Sequence, residues 1–377
     1  MASVILRALI AAALVGIAGV TAAQTELSET ENARQFAQFE IAGSAAETAA
    51  APEDAALRVG LDDIPEDMLV DLFPELAETY TQFAGVTSQV NPTGVQWTTN
   101  EVTVAFNGGS PEVRELIERT AAEWTQGSSF RFSFRDAQNR FREWRPSDTV
   151  AAANIRIGFA ATGPNAGYWS RLGTLATDRD FSPLNRPTMN LGGFDQKLLE
   201  YVGEAHRAKW ARSYFHHVVL HEFGHALGLA HEHFHDDCQR DLKLNDDLGY
   251  RLTPNNAIGP YTADVAGRRP GALRVFQGHP NRWTITKARY NLHAQTYFAA
   301  TRQNIQSEFG AGSRIETTRA IDRHSVMMYA LDVSLLRSGA NSVCISLGAG
   351  QFSDGARFAT TLSAGDIAYF RRYYDRP

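Results

Sequence analysis

Val102, Val104 and Phe106 follow Trp97 at alternate positions, the period of two that puts every second side chain on one face of a β-strand. The period then lengthens. Ile117, Ala121 and Trp124 stand three or four apart, as on one side of an amphipathic helix, and lead into Phe130-Arg131-Phe132-Ser133-Phe134. Ile155-Arg156-Ile157-Gly158-Phe159 reads as another strand. From Tyr214 to Leu220 the chain is largely apolar, and Phe223, Ala226, Leu227 and Leu229 continue the run, so a helix here is buried. Upstream, Met68, Leu69, Leu72, Leu76 and Tyr80 predict a short amphipathic helix within 64–83. Asn255, Asn256, Gly259, Pro260, Gly267, Pro270, Gly271 and Pro280 mark a loop-rich stretch, after which a helix is expected from Thr286 to Gln303. Periodicity alone establishes a mixed α and β chain.

Composition divides the 377 residues unevenly. Residues 1–23 are expected to be a signal peptide: Arg7, an apolar run from Ala8 to Val20, then small residues that fit cleavage after Ala22 or Ala23. An uncleaved anchor is the alternative, but Gly16 and Gly19 interrupt the run and it is short for a span. No stable membrane span is expected once that segment is cleaved. Residues 24–94 hold fourteen acidic residues against two arginines, a local charge of −12 in a chain of −6. They read as an acidic pro-region or a flexible N-terminal arm, with Ser44 to Ala56 low in complexity. The mildly basic remainder has no dense Lys/Arg patch interleaved with aromatics, so nucleic acid is not an expected partner. The two cysteines, Cys238 and Cys344, read as one disulfide in an oxidising compartment or as two buried free thiols.

The chemistry concentrates in His221-Glu222-Phe223-Gly224-His225-Ala226-Leu227-Gly228-Leu229-Ala230-His231-Glu232. On a helix, residues four apart lie about one turn apart on the same face, so His221 and His225 can bite one ion. Glu222 lies beside that face, in reach of a water on the metal, and is the expected general base. Gly228 readily takes the left-handed conformation that ends a helix, letting the chain return His231 as a third ligand. Three buried imidazoles without a coordinating ion or hydrogen bonds would be costly. Three ligands leave a position open, the pattern of a catalytic rather than a structural zinc, and one Zn2+ per chain is expected. His233 and His235, just beyond the motif, are expected at the surface, as are His206, His279 and His293.

With those residues, and with Asp322-Arg323-His324-Ser325-Val326-Met327-Met328-Tyr329 downstream, the chain resembles the metzincin zinc peptidases, and within them the astacin family. Glu232 directly after the third histidine is an astacin feature. The downstream stretch resembles the Met-turn, a tight turn whose methionine floors the zinc. Read as Ser-x-Met-x-Tyr, it gives Met327 as the floor and Tyr329 as the tyrosine that, in astacins, ligates zinc and swings away during turnover. A matrixin-style reading would choose Met328 instead, and Ser325 favours Met327. The resemblance implies an α+β fold over 95–377: a twisted mixed sheet with two long helices above an irregular lower half with the Met-turn and a C-terminal helix, plus an insertion near 236–320. Gly167-Tyr168-Trp169-Ser170 and Met189-Asn190-Leu191 resemble segments bordering the cleft, and Leu362 to Tyr373 the closing helix, with Ser363 as N-cap.

The activity so implied is a secreted or periplasmic zinc endopeptidase acting on protein or peptide substrates, with Tyr329 stabilising the oxyanion. Glu232 would pair with a neighbouring group, in astacins the N-terminus freed by pro-segment removal. An astacin pro-segment can block zinc through Phe-x-Gly-Asp, whereas Phe83-Ala84-Gly85 is followed here by Val86. The rivals are a peptidase of another metzincin branch, disfavoured by the absence of glycine-aspartate repeats after Tyr329, and a zinc-binding adhesin or cell-wall-binding protein without turnover.

Overall fold

The computed structural model describes residues 91–92, 94–162, 165–179, 182–194, 209–251, 263–278, 283–293, 315–316, 320–352 and 355–375. The expected signal peptide, the acidic arm up to residue 90, the helix expected at 64–83, His206 and His279 lie outside them.

After a short strand β1 (Asn91–Pro92), the alternating run forms β2 (Glu101–Phe106), and α1 (Pro111–Ala121) follows. Ser110 caps α1 by accepting from the Val113 N–H, with proline in the first turn where no donor is needed. Four further strands are β3 (Arg131–Ser133), β4 (Ile155–Gly158), β5 (Tyr168–Ser170) and β6 (Met189–Leu191). Among the described residues these make a five-stranded sheet in the order β3-β2-β4-β6-β5. All its pairs are parallel except the edge pair of β5 with β6. It is the mixed sheet that was expected, and α1 is the crossover that the parallel β2–β3 pair requires.

Helix α2 (Tyr214–Ala226) has Ser213 as N-cap, and all thirteen of its residues are buried. Phe132 and Phe134 on the sheet side meet Phe223 of α2 at ring distances of 4.8 and 5.9 Å, while Phe134 also stacks on Phe106 of β2. On the other face, Ala105 packs with Trp144 and Ala153, and the Trp144 indole donates to the Ile157 carbonyl at 2.8 Å. Both faces of the sheet are therefore covered, as parallel strands require.

The later half is less regular. Its elements are α3 (Asp236–Asp241), α4 (Ala272–Gln277), α5 (Ile285–Leu292), β7 (Ile315–Glu316), the hairpin β8 (Gly350–Gln351) with β9 (Arg357–Phe358), and α6 (Ala364–Tyr374). β7 pairs antiparallel with β1. The helix expected from 286 to 303 is α5, capped by Thr284 and closed at an extended His293; residues 294–303 lie outside the described set. Two helices, α3 and α4, sit where only loop was expected. α3 starts on His235, whose Nδ1 accepts from the Asp237 N–H, and carries two aspartates in its first turn, where the helix dipole favours them. Cys238 and Cys344 form a buried disulfide with Cα atoms 5.0 Å apart, so the free-thiol alternative is discarded. No helix among the described residues is long and apolar enough to cross a membrane.

His217 is wholly buried in α2 between Tyr214 and Phe358. Burial pushes its imidazole down to about 3, and the neighbouring His216 reinforces the shift. The fold therefore favours the neutral ring. Stability from this position is complete above pH ~6.5 and is lost as pH falls toward 3. Replacing His217 by Phe in metal-free protein should flatten unfolding free energy against pH between those limits, by up to about 1.4 kcal/mol per pH unit. Urea unfolding at stepped pH measures this, and an unchanged slope would mean that His217 is charged in the folded state.

Candidate metal centre

Helix α2 ends inside the protein, so its last carbonyls need partners other than water. Gly228 adopts φ +94°, and the chain reverses there. The reversal sends the Leu229 N–H to the Gly224 carbonyl (3.0 Å) and the Gly228 N–H to the His225 carbonyl (2.7 Å), the paired bonds of a Schellman stop. The next two carbonyls are met by side chains. The Trp97 indole donates to Ala226 O at 2.7 Å, and the hydroxyls of Tyr369 and Tyr374 donate to Leu227 O at 3.2 and 2.6 Å. A side chain at position 228 would press on Val95 and Tyr369 as well as strain the backbone.

This turn brings His231 back onto the helix. The Nε2 atom of His225 lies 3.0 Å from that of His221 and 3.1 Å from that of His231, and all three residues are buried. His221 Nδ1 faces the Val326 carbonyl at 2.7 Å, and His225 Nδ1 faces the Leu229 carbonyl at 2.7 Å. A carbonyl only accepts, so in the neutral rings both Nδ1 atoms carry the hydrogen and both Nε2 atoms present lone pairs. Lone pairs facing each other at 3.0 Å need a cation between them. Tetrahedral nitrogen ligands held at about 2.0–2.1 Å from zinc are about 3.3 Å apart, so the donor set fits that ion. Glu222 lies fully buried in the same turn of α2.

The segment beneath the rings is a tight turn. Met328 N–H donates to the Ser325 carbonyl at 3.2 Å, and Met327 N–H to Ser325 Oγ at 3.0 Å. Met327 is buried with its sulfur against Gly224 of α2, where a methyl group would collide with it. Asp366, in the first turn of α6, holds the turn from below: Ser325 Oγ donates to it at 2.6 Å and Val326 N–H at 3.0 Å. The same carboxylate accepts from the Ser363 N–H, completing the capping box of α6 on the expected N-cap residue. Burial pushes the Asp366 carboxyl above the ordinary carboxylate range, against the pull of those three hydrogen bonds.

Tyr329 is buried with its ring 4.5 Å from that of His231 and 6.2 Å from that of His221. Glu232 is buried too. Its N–H donates to the Met327 carbonyl at 2.9 Å and its carboxylate accepts from the Asp322 N–H. Burial holds this carboxyl well above its usual value, with the charges of Asp366 and Asp322 adding to the effect and the Asp322 N–H opposing it. Among the described residues no cation pairs with Glu232, whose carboxylate meets the Asp322 amide.

Two expectations are corrected. His233 and His235 are buried rather than at the surface. His233 Nε2 donates to the Asn291 carbonyl at 2.8 Å, and His235 caps α3. His293 is only partly buried. The sequence reading also missed the residues that hold the ligands in place: Val326, Asp366, Trp97, Tyr369 and Tyr374. Of these, only Asp366 carried a local signal, three residues after the N-cap serine.

No family model and no curated protein sequence matches the chain. Among solved structures it is similar to myroilysin in two determinations, at 24% and 22% identity, with TM-scores of 0.44 and 0.37. These matches cover 76% and 80% of this chain and 99% and 96% of those chains. It is also similar to high choriolytic enzyme 1, a hatching enzyme zinc-protease from Oryzias latipes (Medaka fish), at 12% identity and a TM-score of 0.28. That match covers 78% of this chain and 97% of the other. The chain resembles astacin-like metzincin zinc metallopeptidases through its own residues 221–232 and 325–329.

Asp366→Ala should strip Ser325 Oγ and the Val326 N–H of a buried acceptor and cost about 3 kcal/mol or more in urea unfolding. Because the Val326 carbonyl orients His221, zinc affinity should fall about 10- to 100-fold in competition with a chelator. Undiminished affinity at lowered stability would show that the turn does not orient the ligand.

Proposed function

We propose that the chain is a secreted zinc-dependent endopeptidase. The supporting observation is the convergence of three Nε2 atoms, two of them on rings fixed through Nδ1 by backbone carbonyls. In this reading residues 1–23 are a signal peptide, 24–94 an acidic pro-region or arm, and 95–377 the catalytic domain with an insertion near 236–320. The disulfide agrees with an oxidising compartment.

His221, His225 and His231 would hold one zinc through their Nε2 atoms. Zinc held so supplies Lewis acidity, polarising a carbonyl and bringing the pKa of a water to about 7. Glu222 takes the proton of the attacking water and returns it to the leaving amine, a general base and then a general acid. Tyr329 donates its phenolic hydrogen to the oxyanion that develops on the scissile carbonyl, a stabilisation of about 3 to 4 kcal/mol. Met327 gives the ligands an apolar floor, and Glu232 ties the third ligand's segment to the turn.

Glu222→Gln should still bind one zinc per chain and lose about 100-fold or more of its peptidase activity on a quenched peptide library. Full activity would remove Glu222 from the chemistry. Tyr329→Phe should lower kcat about 100-fold with little change in KM, and an unchanged kcat would dismiss the oxyanion role. Chelation should abolish cleavage of casein and added zinc restore it. Stoichiometric zinc with no cleavage of any substrate would instead support a zinc-bearing adhesin.

A further inference from the structure

His233 is drawn into two contacts that join the metal centre to the insertion. Its ring lies nearly parallel to that of Tyr329, with centroids 4.1 Å apart and planes inclined by 26°. Its Nε2–H donates to the Asn291 carbonyl at 2.8 Å, a last-turn carbonyl of α5 that has no partner within its own helix. A second tie runs alongside. The Gln239 side-chain amide donates to the His233 carbonyl at 3.0 Å and to the Leu292 carbonyl at 3.1 Å. The end of α5 is thereby bound to residue 233 through both side chain and backbone. His233 itself is wholly buried, so it cannot turn away into solvent.

We propose that His233 is a positioning residue for Tyr329, and that α5 of the insertion acts on turnover through it. An imidazole anchored at one nitrogen is a fixed plate, and a phenol stacked on it at 4.1 Å has its plane set by that plate. The hydroxyl of Tyr329 is therefore aimed by residues about sixty positions downstream of the third histidine, in a segment that contributes no ligand. This rests on the oxyanion role proposed for Tyr329. The contact acts on the step in which the phenol is used rather than on metal capture.

The test is a set of variants in the full chain: His233→Phe, which keeps a stacking ring and loses the donor to Asn291, and Gln239→Ala, which cuts the parallel tie. Each is made alone and with Tyr329→Phe, and kcat, KM, zinc affinity and urea stability are measured. His233→Phe should lower kcat about 5- to 50-fold while KM and zinc affinity stay within about threefold. Gln239→Ala should move kcat the same way by a smaller factor. In the Tyr329→Phe background both changes should leave kcat within about twofold, because the hydroxyl they aim is gone, while their stability losses persist. An equal fall in kcat in both backgrounds, or none in the native one, overturns the proposal. On metal-free protein, stability losses of His233→Ala and Tyr329→Ala that simply add would deny the contact. A wild-type chain that binds zinc and cleaves nothing sinks the peptidase reading, and this inference with it. An active wild type indifferent to position 233 sinks the inference alone.

Discussion

A helix that ends in a protein interior must find donors for its last carbonyls, and in this chain that requirement shapes the histidine triad. The backbone reversal at Gly228 answers part of it, through the amides of Gly228 and Leu229. That same reversal returns His231 to within 3.1 Å of His225. The remaining carbonyls, at Ala226 and Leu227, are met by Trp97 from before the sheet and by Tyr369 and Tyr374 from the last helix. One set of atoms thus satisfies the backbone and sets the ligand geometry. An apolar residue in place of Trp97 or Tyr374 would leave a buried acceptor unmet, at about 1–3 kcal/mol each.

The rings of His221 and His225 are oriented by backbone carbonyls rather than by carboxylates. A carbonyl fixes the tautomer without adding a full negative charge behind the imidazole. Acidic groups sit nearby for other purposes. Glu222, Glu232 and Asp366 are all buried, and burial pushes Glu232 and Asp366 toward their neutral forms. Buried carboxylates are tolerated where hydrogen bonds or a cation offset the lost hydration. Asp366 has three such bonds, whereas Glu232 has one, to the Asp322 amide.

What was legible in the sequence was local. His221 and His225 fall on one helical face because of the pitch of the helix, and Gly228 announces its own conformation. Val102, Val104 and Phe106 alternate because β2 lies with that face on the core. The burial of His233 was not legible, since its acceptor is a carbonyl fifty-eight residues away and nothing about a lone histidine forecasts that. α3 and α4 were missed for a related reason: each has six residues, too few for a periodicity to emerge. The disulfide fell between these cases, because the cysteines showed the chemistry and only the fold could show that they meet.

α6 connects these layers. Its buried face presents Asp366, Tyr369, Phe370 and Tyr374, spaced three, four and eight residues from the first, so a single helical stripe reaches two parts of the site. Asp366 grips the turn whose Val326 carbonyl orients His221, and the tyrosines reach the carbonyl just past the end of α2. Undocking α6 would release both at once, loosening His221 and exposing the stop that returns His231. An ion that binds only the assembled triad would favour the docked helix by mass action. By the reciprocity of linkage, docking of α6 would favour that ion by the same coupling free energy. Should the triad take an ion, its capture and the docking of the last helix would be coupled through one carboxylate and two phenols.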